Sequence, residues 1–98
     1  MGATGARDES RETVTVRYWA GARAAAGTAE DDFAVDGDVT LADLVSLVLE
    51  RHPDDRMART VAVCSVLLGD RPVRSQDPAS VLVDPGSVVE LLPPFAGG

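Results

Sequence analysis

The sequence predicts an α+β fold in which one main helix packs across a mixed sheet. Residues 13–19 alternate between apolar and polar side chains, which is the pattern of a half-buried strand. Residues 41 to about 51 repeat apolar side chains at helical spacing, which predicts one amphipathic helix. Residues 88–92 are mostly apolar and begin with two valines, which predicts a last strand close to the end of the sequence.

Length and composition restrict the classes of function. A chain of 98 residues with 45% hydrophobic side chains suits one small domain with a modest core. A net charge of −7 and a pI near 4.4 argue against nucleic acid and anionic membranes, and favour basic protein partners. The sequence has no apolar run of the roughly 20 residues that span a membrane, no signal-peptide pattern and a single cysteine. We therefore expect a soluble, cytoplasmic protein.

The chain is predicted to divide into three parts. Residues 1–12 are rich in glycine, serine and charge without periodicity, which predicts a disordered N-terminal arm. Residues 13–92 should form the folded domain. Residues 93–98 should form an extended C-terminal tail, because Pro93 and Pro94 lack the N–H donors that a strand needs.

The first strand should present an apolar face and a mixed face. The apolar face should carry Val14, Val16 and Tyr18. The mixed face should carry Thr15, Arg17 and Trp19. Trp19 lies either in the core or on a sheet face that a partner covers, and the alternation leaves both interpretations open. Residues 21–27 are compatible with one helical turn ended by Gly27, and residues 32–35 with a second strand closed by a turn at residues 36–38.

The helix over residues 41–51 is the strongest local signal. Thr40 is a good N-cap and Asp43 favours the first turn. Its apolar stripe consists of Leu41, Leu44, Val45, Val48 and Leu49. Pro53 should end it near His52, and residues 54–59 are compatible with another turn.

The remaining strands complete the sheet. Residues 61–68 are apolar except for Ser65, which predicts a central, buried strand. A turn at Gly69-Asp70 leads into residues 71–73, where the proline indicates an edge. Residues 81–83 are compatible with a short segment. A hairpin, a helix across a mixed sheet and a final strand beside the first describe a β-grasp fold, from which the tail leaves a rigid support.

No group of residues in the sequence forms a self-contained active site, so enzyme activity of the chain alone is uncertain. His52 is the only histidine and lacks a serine or cysteine pattern to pair with. Cys64, in an apolar segment, is predicted to be a small core residue. Metal-ligand spacings and Gly-rich phosphate loops are missing from the sequence, so we expect no bound cofactor and no metal.

The tail therefore carries the functional prediction. Its six residues can project roughly 20 Å at about 3.3–3.6 Å each, and Gly97 and Gly98 can enter a channel too narrow for other side chains. A terminal carboxylate with a pKa of about 3.3–3.7 is ionised at neutral pH. It can attack the α-phosphorus of ATP to give an acyl-adenylate. Sulfur attack on that adenylate gives a thiocarboxylate, whereas amine attack gives an isopeptide bond.

Ordering this tail requires contacts elsewhere, because its glycines carry a high entropy cost. We expect a partner to bind Phe95, with Pro94, Ala96 and the apolar sheet surface near Leu91 contributing.

The sequence resembles the MoaD/ThiS family of small sulfur-carrier proteins, and within it most closely the MoaD branch, the small subunits of molybdopterin synthase. The matching segments are residues 16–20, 22–23 and 27, residues 39–44, and residues 84–98 with the ending LLPPFAGG. The resemblance covers about residues 13–98. It implies a β-grasp, ubiquitin-like fold and adenylation of Gly98 by a ubiquitin-activating-type enzyme (MoeB/ThiF-like) that uses ATP.

The same resemblance implies later thiocarboxylation by a sulfurtransferase and sulfur delivery to a large subunit (MoaE-like) in molybdenum-cofactor synthesis. Two alternatives remain open. One is a carrier for another sulfur-accepting synthase, in thiamine, cysteine or specialised-metabolite synthesis. The other is a ubiquitin-like protein modifier.

Overall fold

The computed structural model describes residues 12–74 and 76–94. Residues 1–11 of the predicted arm and the tail from Phe95 onward lie outside this range. The predicted boundary after residue 12 is wrong by one residue, because Glu12 begins the first strand and pairs with Val35. The strands are β1 (Glu12–Tyr18), β2 (Glu30–Val35), β3 (Val39–Thr40), β4 (Ser65–Leu68), β5 (Arg71–Val73), β6 (Leu82–Val83) and β7 (Val88–Leu92). The helices are α1 (Ala20–Ala26), α2 (Leu41–Arg51) and α3 (Asp55–Ala62), with a 3-10 turn at Pro78–Ser80.

Five strands form one mixed sheet in the order β2-β1-β7-β4-β5. The strands β1 and β2 form an antiparallel hairpin, and β1 pairs in parallel with β7. On its other side β7 pairs antiparallel with β4, which pairs antiparallel with β5. The predicted β-grasp arrangement is confirmed, including the final strand beside the first.

The main helix has the predicted bounds and the predicted cap. The side chain of Thr40 accepts a hydrogen bond from the backbone N–H of Asp43 at 3.0 Å. Leu41, Leu44 and Val48 are buried against the sheet, so the apolar stripe faces the core.

The core lies between α2 and one face of the sheet, which we call the inner face. The apolar side of β1 points there, as predicted, and its three side chains are at most 2% exposed. The other fully buried or nearly buried hydrophobic residues among those described are Ala22, Phe33, Leu41, Leu44, Val48, Met57, Val81, Val83, Val89 and Leu91.

The strand predicted over residues 61–68 is wrong in its first half. The helix α3 continues to Ala62, and β4 begins only at Ser65. Asp54 caps α3 by accepting from the N–H of Arg56 at 2.9 Å, and Met57, fully buried, shares the inward side of the helix with Val61 four residues later. Because Met57 and Val61 are spaced for one side of a helix, residues 61 and 62 join α3 although the apolar run suggested a strand.

The strand β4 is also less buried than predicted. It is internal to the sheet, between β7 and β5, but its residues are half-buried or exposed. The reason is that the helices cover only the inner face of the sheet.

A second, two-stranded sheet was not predicted. It pairs Val39 with Val83 and Thr40 with Leu82. Two-residue strands are too short to produce a recognisable period, so only the tertiary contact reveals them.

Two backbone positions at the ends of α1 have positive φ. Gly27 has φ +76° and its N–H donates to the carbonyl of Arg23 at 2.9 Å, which confirms the predicted helix end. Ala20 has φ +48° and is the only non-glycine residue with positive φ in the part of the chain that the structure describes. It starts α1 directly after β1, at a conformation that costs an L-residue energy.

Thr40→Ala should lower the free energy of unfolding by about 0.5–2 kcal/mol, because the N–H of Asp43 loses its acceptor. Urea denaturation measures this change. Thr40→Ser keeps the hydroxyl and is the matched control. Equal destabilisation by both substitutions would show that the methyl group, rather than the cap, matters.

Candidate functional site

The base of the tail is held in the middle of the sheet. The strand β7 has paired neighbours on both sides and ends at Leu92. Pro93 is buried and Pro94 is exposed, so the chain is anchored up to Pro93. The predicted functional residues Phe95, Ala96, Gly97 and Gly98 lie outside the described residues, and their roles stay predictions.

None of the helices that the structure describes lies over the face of the sheet opposite α2, and we call this face the open face. Strand register aligns a row of residues across it, in the order Glu30, Arg17, Glu90, Leu67 and Pro72. Acidic and basic side chains occupy the β2–β1–β7 side of this row. Apolar side chains occupy the β4–β5 side, close to the tail.

The prediction that Leu91 lies on the partner-binding surface is wrong. It is 1% exposed and packs in the core. Successive side chains of a strand point to opposite faces, so Val89 and Leu91 face α2 while Glu90 and Leu92 face outward. Leu92 is therefore the apolar residue of β7 on the open face beside the tail.

Trp19 lies on the open face, which resolves the two interpretations of its position. Its side chain is 38% exposed. Its indole Nε1–H donates to Oε1 of Glu90 at 2.8 Å, and the guanidinium carbon of Arg17 lies 5.4 Å from the ring centroid. Arg17 also lies 3.6 Å from a carboxylate oxygen of Glu30.

Cys64 lines a groove of about 570 Å³ at the base of the tail, together with Arg74, Pro93 and Pro94. It precedes β4 rather than lying inside it, and it is half-buried. Its Sγ–H donates to the carbonyl of Thr60 at 3.3 Å. Burial raises the pKa of the thiol to about 11, so it stays protonated near neutral pH and is a poor nucleophile.

A polar cluster at the end of α2 was missed from the sequence. Asp31 accepts a hydrogen bond from the Tyr18 hydroxyl at 2.9 Å and lies 2.6 Å from Nε2 of His52. Arg51 approaches the same carboxylate at 3.5 Å, and the rings of Tyr18 and His52 meet edge to face at 5.6 Å. The cluster joins β1 and β2 to the end of the helix.

The charge state of this cluster follows from its contacts. Partial burial acts to raise the pKa of Asp31, but hydrogen bonds from His52 and Tyr18 and the positive charges of His52 and Arg51 hold it below its usual value. Burial, with the hydrogen bond to Asp31, raises the pKa of Tyr18. One signal was present in the sequence: Asp31 stands two residues before the apolar Phe33, so in a strand both share one face. The structure places that face inward, with Asp31 paired to buried Val16.

Within residues 12–74 and 76–94, no group of three or more His, Cys, Asp or Glu side chains is placed to hold a metal ion. In the same part of the chain, no helix is long and apolar enough to cross a membrane.

The fold defined by this sheet and helix is the ubiquitin-like β-grasp fold, as comparison with solved structures shows. A small archaeal modifier protein 1 from Haloferax volcanii superposes with a TM-score of 0.73 at 21% identity, covering 88% of this chain and 99% of that one. A Pyrococcus furiosus protein assigned as molybdopterin converting factor subunit 1 gives 0.69 at 23% identity, with 86% and 99% covered.

A third neighbour is the complex of subunits 1 and 2 of the molybdopterin-converting factor from Helicobacter pylori, with a TM-score of 0.57, 24% identity and coverage of 88% and 99%. No curated protein sequence matches the chain. The model of the ThiS family matches residues 16–98. The chain belongs to the ThiS family, and the resemblance to MoaD/ThiS proteins seen in the sequence is confirmed.

Stability should fall as the pH drops below about 4, the usual range of an aspartate, because the pKa of Asp31 is lower in the folded than in the unfolded chain. In that window the unfolded chain binds more protons, and the contribution of Asp31 is lost as pH falls through its folded pKa. Asp31→Asn should flatten this dependence in thermal unfolding series. Asp70→Asn, in an exposed turn, is the control of equal charge, and an equal flattening there would contradict the assignment to Asp31.

Proposed function

We propose that the chain is a sulfur carrier whose terminal Gly98 is adenylated and converted to a thiocarboxylate, and that it acts as the small subunit of molybdopterin synthase. The observation that carries the proposal is the family match, which extends through residue 98 and so includes the diglycine. The chain then supplies a delivery arm and a docking surface, and its partners supply the catalytic groups.

The proposed chemistry uses the carboxylate as a nucleophile. One oxygen of Gly98 attacks the α-phosphorus of ATP, pyrophosphate leaves, and an acyl-adenylate forms. The terminal sulfur of a sulfurtransferase persulfide then attacks the carbonyl carbon, and AMP leaves with the bonding electron pair. A thiol reductant cleaves the S–S bond of the resulting acyl disulfide, which releases the thiocarboxylate and leaves a disulfide on the sulfurtransferase side. The ATP is bound by an activating enzyme (MoeB/ThiF-like), and the sulfur comes from a sulfurtransferase.

The described residues support delivery at a fixed place. Buried Pro93 ends a strand that is paired on both sides, so the tail starts from a rigid position. Four residues follow Pro94, and they can reach about 13–14 Å when extended. In the proposed complex, the partner active site would therefore open within that distance of Pro94.

The open face supports a protein partner beside the tail. Leu92, Leu67 and Pro72 provide apolar area on its β7–β4–β5 side, and Trp19 provides an aromatic side chain of the kind enriched at interfaces. The Helicobacter pylori neighbour is a complex of subunits 1 and 2. We propose a MoaE-like large subunit as the corresponding partner here.

Two other functions share the same fold. A carrier for another sulfur-accepting synthase would use the same tail, and a protein modifier would form an amide instead of a thiocarboxylate. Structures of small archaeal modifier proteins are among the neighbours. Intact mass after incubation with ATP, an activating enzyme and a sulfur donor separates these classes. Exchange of one oxygen for sulfur supports a carrier, and high-mass adducts on other proteins support a modifier.

Deleting Gly98, or adding one residue after it, should abolish adenylation and leave thermal stability unchanged, because the core of the described residues forms without it. Pyrophosphate release with the activating enzyme measures adenylation, and calorimetric melting is the control. Gly97→Trp should block the same step by steric exclusion. Undiminished adenylation of the extended chain would contradict the assignment.

Phe95→Ala should weaken binding to the large subunit by about 1–3 kcal/mol with little change in unfolding free energy, if Phe95 is an interface anchor. Leu91→Ala is the contrasting variant, since removal of a buried leucine costs about 2–5 kcal/mol of folding stability. Calorimetric titration against the large subunit and against a thiazole synthase tests both affinity and pathway. Tight binding to the thiazole synthase alone would overturn the molybdopterin assignment and keep the carrier class.

A further inference from the structure

The indole of Trp19 is fixed on the open face by the backbone on both sides of it. The N–H of Trp19 donates to the carbonyl of Leu91 at 3.2 Å, and its carbonyl accepts from the N–H of Ala22 at 2.9 Å. Ala20, the next residue, has the positive φ of +48°. Strained backbone persists where surrounding contacts enforce it and is often associated with function. Here it turns the chain into α1 directly after the indole.

Glu90 fixes the other end of this side chain. It lies on β7, opposite Arg17 on one side and Leu67 on the other. Its Oε1 accepts the indole N–H at 2.8 Å. Arg17 is directed to Glu30 and to the indole ring, and Glu90 forms no ion pair with any residue between 12 and 94 that the structure describes.

A partner that covers the indole must also cover this carboxylate. A buried charge is costly unless an opposite charge pairs with it. The indole hydrogen bond does not neutralise Glu90, and no cation of residues 12–74 or 76–94 forms an ion pair with it. Partners that bring an arginine or lysine to this point satisfy the carboxylate. Neutral or acidic partner surfaces leave it unpaired, so Glu90 discriminates among partners.

We propose that Glu90 is a specificity-determining residue of the open face, which holds the indole of Trp19 in its binding position and selects a partner with a basic side chain opposite it. The inference rests on the proposed function for the identity of that partner. The net charge of −7 agrees with a basic partner surface.

Two substitutions separate the two roles. Glu90→Gln keeps a carbonyl oxygen that can accept from the indole and removes the charge. Glu90→Ala removes both. The chain contains one tryptophan, so its emission and anisotropy report on this side chain alone. In the free chain, Glu90→Ala should lower the anisotropy of the indole, and Glu90→Gln should leave it unchanged.

Binding is measured by titrating the full chain and each variant with the molybdopterin-synthase large subunit and, separately, with the activating enzyme, over a series of salt concentrations. Glu90→Gln should bind roughly tenfold more weakly at low salt and show a flatter salt dependence, because one attractive charge pair is lost. Glu50→Gln makes the same charge change on the exposed side of α2, and should bind like the unmodified chain.

The outcomes distinguish this inference from the proposed function. If the unmodified chain binds the activating enzyme but not the large subunit, the molybdopterin-synthase assignment is rejected. The Glu90 variants are then compared by their binding to the activating enzyme. If Glu90→Gln and Glu50→Gln bind a partner with the same affinity and the same salt dependence, Glu90 does not select that partner, and the selecting role is overturned. Unchanged indole anisotropy in Glu90→Ala would overturn the positioning role. Failure of both proteins to bind would overturn the proposed function and this inference together.

Discussion

The parallel pairing of β1 with β7 is the constraint on which the rest of the structure depends. It joins Thr15 to Val88 and Tyr18 to Leu91 across the interior of the sheet. Parallel strands need a long crossover connection, and residues 19–87 provide it, with α2 covering the inner face. Because the last strand lies inside the sheet rather than at its edge, the chain leaves the fold from a position held on both sides.

The alternation of β7 then assigns its residues in turn to the core and to the open face. Val89 and Leu91 contribute to the core, and Glu90 and Leu92 contribute to the open face. A register shift of one residue would exchange the two sets, burying a carboxylate and exposing the core. The packing of α2 therefore also fixes which side chains a partner meets beside the tail.

The sequence predicted those elements whose signal is local. The alternation of β1, the apolar stripe of α2 and the cap at Thr40 each lie within one segment, and the structure confirms them. The start of the strand predicted over residues 61–68 was wrong, because a short apolar run fits a strand and the end of a helix equally well. The outward position of half-buried Leu92, in place of Leu91, follows from the register of β7 in the sheet, which a single strand does not reveal.

Two features of the site lay beyond sequence reasoning because they depend on distant residues. The Trp19–Glu90 hydrogen bond joins side chains 71 positions apart, and the Asp31–His52 contact joins a strand to a helix end. The family match extends through the diglycine, but how the tail is supported became evident only from the strand order. The diglycine tail could therefore be recognised from the sequence, whereas the contacts on the surface beside it could not be predicted.

The edges of the sheet explain why association should use its face. At one edge, β5 has three residues and Pro72 among them, which limits strand addition. At the other edge, Arg51 lies over the ring of Phe33 at 4.3 Å and donates to the carbonyl of Asp32 at 3.2 Å, so part of the β2 backbone is already satisfied. In the proposed complex, a partner that approaches the tail would then meet the open face, where apolar side chains and the hydrogen-bonded indole lie together.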